Sequence, residues 1–429
     1  MAYRRQPMTV VCARRLTSAA GDGGQSPSNG VLDEGVAGDF AMKRSEKRIL
    51  TTHAGSLLRP PVLGAMFGRL SRREPVDAAT MERAIGEATR HVVKLQAECG
   101  IDVGNNGEQA RESFFTYVQH RMSGFGGQSE RPGFADMRAY PSFLEMILGQ
   151  IRARVQVDLL HAPKAIGAVA YVDRGPLERE CDEFAKILAE LTPEFTETFM
   201  TAPSPGIIAA AMLNEHYRSL EDYVTALADA LRVEYETIVA RGFLLQIDAP
   251  DLAMEKHVTY AQRPLKDFTA FVDLVIDAIN RALEKVPRDR VRLHVCWGNY
   301  EGPHTHDVAL ETILPHLYRA RVGALMISMA NPRHEHEYLC FERHRLPPEM
   351  NLIAGVIDTT TNYVEHPQVV AERIVRVARV VGDPRRVMAG TDCGFETTAG
   401  LAPVAEEIVW EKLRAMRDGA AIASKHLLG

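Results

Sequence analysis

From Lys47 onward, short apolar runs alternate with longer amphipathic stretches. The runs RILTTHAGS, GIDVGNNGE, AIGAVAYV, TETFMTA, GFLLQIDAP, VRLHVCW, GALMISM, NLIAGVID and RVMAGTD read as strands. Between most of them, apolar residues recur every three or four positions, the period of a helix with one buried face. In MERAIGEATRHVVKLQAECG that stripe is Ile85, Ala88, Val92, Leu95 and Cys99, and Gly100 ends it. LEDYVTALADALRVEYETIVARG repeats the pattern up to Gly242, and two more such segments, QVVAERIVRVARVVGD and APVAEEIVWEKLRAMRDG, close the chain. Strand–helix alternation predicts βαβ units, a parallel sheet and the α/β class. Eight or more units over about 380 residues predict a (β/α)8 TIM barrel. Nine candidate runs are one more than a barrel holds, so one is an extra strand or a loop. The competing architecture is an open doubly wound sheet. No Gly-x-Gly-x-x-Gly follows the first strand, which argues against a dinucleotide-binding version.

The beginning of the chain differs. SAAGDGGQSPSNGVLDEGVAGD has no periodic apolar face, so residues 1–44 are expected to be a disordered extension and residues 45–429 the catalytic barrel. Met42 is a candidate true start, which leaves residues 1–41 in question. A net charge of −6 lacks the basic footprint of a nucleic-acid binder. No apolar run reaches membrane-spanning length. The six cysteines are scattered without disulfide spacing, which fits a reducing, cytoplasmic setting.

In a barrel of this kind the chemistry sits at the C-terminal ends of the strands. Strand alternation puts His294 and Cys296 on one face of RLHVCW, opposite Val291, Leu293 and Val295. Cys393 stands at another strand end, in GTDCG. Together they make a His/Cys/Cys set suited to Zn²⁺, with a fourth position open; a buried cysteine and a satisfied histidine are the plain alternative. Asp248, after an apolar strand, is a candidate to bind an ammonium group or act as a base, or else to cap the next helix. Glu108 has the same readings, with Arg111 as a possible ion-pair partner. Gly55 and Ser56 offer N–H groups and a hydroxyl to an anion such as a carboxylate, or form a simple turn. In NPRHEHE, a helix is expected after Pro332, with His334 and Glu337 on one face and His336 on another. His304 and His306 are expected to be solvent-facing loop residues.

TTHAGSLLRP, NNGE, QIDAPDL, HVCWGNYEGPH, ANPRHEHE, GVIDTTTNYVEHP and AGTDCGF, in this order, resemble the cobalamin-independent methionine synthase family. The resemblance is to its C-terminal catalytic barrel, in a short single-barrel form that shares ancestry with the uroporphyrinogen decarboxylase fold. It implies a catalytic zinc on His294, Cys296 and Cys393. It implies Gly55 and Ser56 at the amino acid's carboxylate, with Glu108 and Asp248, the candidate catalytic carboxylates, at its ammonium. The implied reaction moves a methyl group from polyglutamylated 5-methyltetrahydrofolate to the zinc-held thiol of homocysteine, so the partners are a small-molecule thiol and a methyl donor. Two positions depart from the family pattern. Ser328, Met329 or Ala330 stands where a glutamate ligand is expected, which leaves water, the substrate thiol or Glu335 for the fourth place. Ala249 replaces an acid in the IDEP-like stretch. The alternative is a zinc thiol alkyltransferase of the epoxyalkane:coenzyme M type, or a short form using another methyl donor such as methylcobalamin.

Overall fold

The computed structural model describes residues 41–154 and 162–429. The expected disorder of the N-terminal extension falls, up to residue 40, outside the described residues. Packing onto the barrel begins by Met42, which is buried and donates its N–H to Asp289 O at 3.0 Å.

The strands are β1 (Val103–Gly104), β2 (Met122–Gly126), β3 (Lys164–Tyr171), β4 (Glu197–Pro203), β5 (Leu244–Asp248), β6 (Val291–Val295), β7 (Ala324–Ile327), β8 (Asn351–Ile357) and β9 (Val387–Thr391). Seven of them form one parallel sheet in the order β1-β4-β5-β6-β7-β8-β9. Thr51 bridges to Ala389 of β9 and Thr52 to Val103 of β1, both parallel, which closes the sheet on itself. The segment around residues 51–52 is therefore the first stave of an eight-stave barrel, with helices outside it. The surplus run is AIGAVAYV: as β3 it pairs antiparallel with β2 in a separate two-stranded sheet.

The helices fall where the periodicity placed them, at Ala78–Cys99, Leu220–Ala240, Pro367–Val381 and Glu406–Leu427. Their ends follow from local chemistry. Asp77 accepts the Thr80 N–H at 2.8 Å at the start of the first, and Gly100, at φ +76°, ends it. Among the described residues, no helix is long and apolar enough to cross a membrane, and no cysteine is in a disulfide.

Alternation along the staves builds two cores. On β6, Val291, Leu293 and Val295 join the apolar shell between barrel and helices. The lumen is filled by a second cluster that includes Met42, Leu50, Phe199, Leu244, Met326, Ile353 and Met388. Arg292 reaches into this lumen from β6 and is 1 % exposed. Its guanidinium lies 3.8 Å from the centre of the Phe199 ring. It donates to Gln246 Oε1 at 2.7 Å, Thr52 Oγ1 at 3.0 Å and His53 O at 2.6 Å. Burial pushes its pKa down to about 9, so it is still a cation at neutral pH.

A second buried charge network lies where the two-stranded sheet meets the barrel. Glu180 accepts from Arg111 at 2.9 Å and from Arg121 at 2.6 Å, and Arg121 also donates to Glu234 at 3.2 Å. Burial alone would raise the Glu180 pKa, but the two guanidinium groups outweigh it and hold it near 2. Its folded pKa is thus below its unfolded value. The stability it contributes, on the order of 3 kcal/mol, is present above about pH 4.5 and is lost as pH falls toward 2. We expect Glu180→Gln to lower stability at pH 7 and to flatten the acid limb between about pH 4.5 and 2. Urea unfolding across that range checks it. An acid limb identical to wild type would show that Glu180 does not carry it.

Candidate functional site

Parallel register brings the polar strand ends together. Asp248, the last residue of β5, pairs with His294 of β6. Asp248 Oδ1 sits 2.9 Å from His294 Nδ1 and accepts the Gln246 amide at 2.7 Å. Gln246 Oε1 in turn accepts Arg292, so a polar ladder rises from the lumen to His294. With Nδ1 bonded to Asp248, His294 has its Nε2 turned to the mouth of the barrel, 3.3 Å from Asp392 O. This is how a carboxylate fixes the tautomer of a metal-binding histidine. Asp248 therefore positions His294 and does not cap a helix.

Cys296 lies just beyond β6 and Cys393 just beyond β9, on different sides of the barrel. Their sulfurs are 3.8 Å apart. That is too long for a disulfide, but it is the separation of two thiolates about 2.3 Å from one tetrahedral ion, about 3.8 Å. The donor atoms of His294, Cys296 and Cys393 all lie within 4.8 Å of one another, and all three residues are buried. The Cys296 thiol is held well below its ordinary pKa, first by the Cys393 contact and then by His294, against the effect of burial. Cys393 is pushed well above its ordinary value by Cys296 and by burial. Burial disfavours charge on His294, but Asp248 and Cys296 raise it to about 10. Two soft sulfurs and an imidazole, gathered and partly charged, fit a borderline-soft divalent cation such as Zn²⁺.

Glu108, Gly55 and Ser56 gather beside this set. Glu108 is 1 % exposed and has a positive φ of 58°. Its Oε1 accepts the Thr201 hydroxyl at 2.8 Å, whereas Oε2 is buried without a hydrogen-bond partner. Burial and the Asp248 charge raise its pKa to about 7. A buried carboxylate oxygen left unmatched is a place for a cationic group. The expected Arg111 pairing is not formed, because Arg111 is bound to Glu180 instead. Gly55 has φ +122°, and a Cβ there would lie 2.6 Å from Thr201 Cγ2 and 2.9 Å from Glu108 Oε1, so only glycine fits. Its N–H is already engaged by His53 Nδ1 at 3.2 Å. The Ser56 hydroxyl lies so close to Gly394, next to Cys393, that a Cβ on Gly394 would be 2.0 Å away.

Other expectations need correction. Glu335 is not near the sulfurs: it faces Arg373 at 3.9 Å and its side chain is 43 % exposed. No acid replaces the glutamate expected after β7. Ser328 donates to Asp392 O at 2.6 Å, and the N–H groups of Met329, Ala330 and Asn331 cradle the Asp392 carboxylate at 2.8–2.9 Å. After Pro332 the chain makes turns, and helical structure begins only at Glu337. His334 and Glu337 do share a face, bonded at 2.8 Å. His304 is not solvated but lies half-buried against Asp307 at 2.8 Å, while His306, more exposed, meets Asp136 at 2.7 Å. Asp307, Asp392 and Trp297 were missed altogether. A cavity of ≈ 280 Å³ opens at this end, lined by Cys296, Cys393, Trp297, Ser328, His304 and His334 among others.

Sequence comparison finds the methionine synthase of Sulfolobus acidocaldarius, 25% identical over 379 residues, covering 88% of this chain and 93% of that protein. The methionine synthase of Thermococcus kodakarensis is 26% identical over 381 residues, covering 88% and 94%. Over most of its length the chain is similar to proteins named methionine synthase. A further relative is the 2-hydroxypropyl-CoM lyase of Xanthobacter autotrophicus, 24% identical over 413 residues, with 88% and 96% covered. No family model matches the chain. Among solved structures, a B12-independent methionine synthase from a Shewanella species, in complex with selenomethionine, superposes with a TM-score of 0.66 at 20% identity, covering 89% of this chain and 99% of that one. A putative vitamin-B12-independent methionine synthase from Listeria monocytogenes gives 0.58 at 17% identity, covering 87% and 99%. These two likenesses show a shared fold.

Proposed function

We propose that the protein is a zinc-dependent S-methyltransferase that moves a methyl group from 5-methyltetrahydrofolate to the thiol of homocysteine. The observation that carries this reading is the convergence of Cys296 and Cys393, 3.8 Å apart, with the oriented His294. These three residues would hold the zinc. Zinc bound there supplies a thiolate at neutral pH by lowering the pKa of the thiol it holds. Everything else in the proposal is the work of this chain. Glu108 Oε2 receives the ammonium of the amino acid beside Asp248, and Ser56 faces its carboxylate. Fixing both ends of the amino acid aims its sulfur at the incoming methyl group, which is largely a matter of orientation. The thiol gives up its proton to solvent, the S–CH₃ bond forms as the N–CH₃ bond breaks, and the electron pair of the broken bond stays on the donor nitrogen, which takes up a proton from solvent. Glu108 and Asp248 act here in binding and positioning the amino acid.

A second reading rests on the two departures. Ser328, Met329 or Ala330, and the buried Ala249, stand where the family resemblance expects acids, and a CoM lyase is among the relatives. The same thiolate chemistry would then act on a different thiol and a non-folate electrophile. Assaying methyl transfer with homocysteine and 5-methyltetrahydrofolate, beside coenzyme M with an epoxide, separates the two. Turnover only in the second pair would sink the methyltransferase proposal.

The proposed ammonium contact makes its own prediction. Glu108→Gln should raise the KM for homocysteine by about 10- to 100-fold, with kcat changed far less. Because protonated Glu108 cannot pair with a cation, wild-type affinity should weaken as pH falls through about 7, and the glutamine variant should lose that part of the profile. A KM unchanged by the substitution would take Glu108 out of the binding site.

A further inference from the structure

We propose that His304, Asp307 and His334 form a second divalent-cation site, distinct from the cysteine centre. Their donor atoms lie within 4.8 Å of one another. His304 Nδ1 and His334 Nε2 both sit 2.8 Å from Asp307 Oδ2. Ligands about 2.0–2.1 Å from one ion are separated by roughly 3 Å, so little movement is needed to admit it.

The outer nitrogens carry the argument. His304 Nε2 faces Tyr300 O at 3.1 Å, and His334 Nδ1 faces Glu337 Oε2 at 2.8 Å. Both outer partners are pure acceptors, so each outer nitrogen carries a proton. Without an ion, each inner nitrogen must also carry one to meet Asp307. Two imidazolium rings would then be packed in a half-buried space, with ring centres 6.3 Å apart. With an ion, each histidine gives its inner lone pair to the metal and its outer N–H to a carbonyl or carboxylate. That is the usual outer arrangement of metal-binding histidines.

A second observation comes from the other side of Asp307. His257 is fully buried, and its Nδ1 lies 2.6 Å from Asp307 Oδ1. Yet neither ring nitrogen nor Oδ1 has a partner in proper hydrogen-bond geometry. The His257 contact is short but poorly aligned, so Asp307 meets three imidazoles while only its Oδ2 is bonded in good geometry. Two imidazoles and a carboxylate suit a first-row divalent ion such as zinc or cobalt. The ion would join the loop after β6, which carries His304 and Asp307, to the loop after β7, which carries His334. His334 also stacks on Trp297 at 3.8 Å, next to Cys296.

The test uses the full chain, stripped with a chelator and reloaded with cobalt(II) alone. Wild type should bind about two cobalt ions per chain. The Cys296→Ser/Cys393→Ser variant should keep about one, with weak visible bands and no thiolate charge-transfer band. Adding Asp307→Asn should remove that last ion. If thermal melting shows that this variant is unfolded, His304→Gln in the same background replaces it. Loss of all cobalt in the double-serine variant, or retained cobalt that ignores Asp307 and His304, overturns the proposal. Neither outcome bears on methyl transfer at the cysteine centre.

Discussion

Replacing Cys296 by serine should strip the ion from the cysteine centre and lower turnover by at least about a thousandfold, some 4 kcal/mol of transition-state stabilisation. The reasoning is geometric. Cys296 and Cys393 are the only sulfurs among the described residues brought together with a histidine, and a hydroxyl is a poor substitute for a thiolate toward zinc. The loss should appear in elemental analysis of the purified protein and in a homocysteine titration of the cobalt-substituted form. Cys340→Ser serves as the control. That thiol is buried and pushed up to about 12 by its surroundings, so its removal should leave ion and turnover nearly intact. A Cys296→Ser protein with a full zinc complement and normal turnover would sink the proposed chemistry.

The second large effect concerns stability. Arg292→Met should destabilise the fold by about 3–5 kcal/mol, because it strands the buried acceptors of Gln246, Thr52 and His53 inside the lumen. An unfolding midpoint lower by about 10 °C is the expected reading. The same change frees Gln246, which holds Asp248, which holds His294. Affinity for the ion should therefore also fall, by about tenfold or more. Arg281, paired with Asp229 at the surface, is the control. Arg281→Met should cost less than about 1 kcal/mol. If Arg292→Met melts like wild type, the ladder is not a structural element.

The barrel was legible because its periods are local. A residue's neighbours two, three and four positions away decide which face it shows, and those neighbours can be read directly. The same locality explains the surplus strand. AIGAVAYV alternates as a stave would, and alternation does not encode which sheet a strand joins. The first stave was readable as an apolar run even though it makes only the bridges at Thr51 and Thr52. In the site, His294 and Cys296 could be paired because they lie on one strand face, and Cys393 because it ends another stave. The wrong partner for Glu108 has a different origin. Arg111 is three residues away in sequence, but Glu180, from a distant helix, reaches it first. Asp307 was invisible for a related reason. Its three histidines come from the segments after β5, β6 and β7, and no spacing along the chain marks their meeting. The Asp392 cradle is backbone N–H groups, which every non-proline residue has and no sequence pattern can single out.

The lumen plug has a kinetic meaning. Met42, Phe199, Leu244 and their neighbours seal the floor beneath Arg292, so the cysteine centre is reached from one side. A vessel with a single opening fills in sequence. Under the proposed reaction, the small amino-thiol settles first at the bottom and the bulky methyl donor arrives above it as a stopper. A donor seated first would bar the thiol's path. Catalysis would then pass through a ternary complex with compulsory order, and methionine would leave only after the demethylated carrier had lifted away.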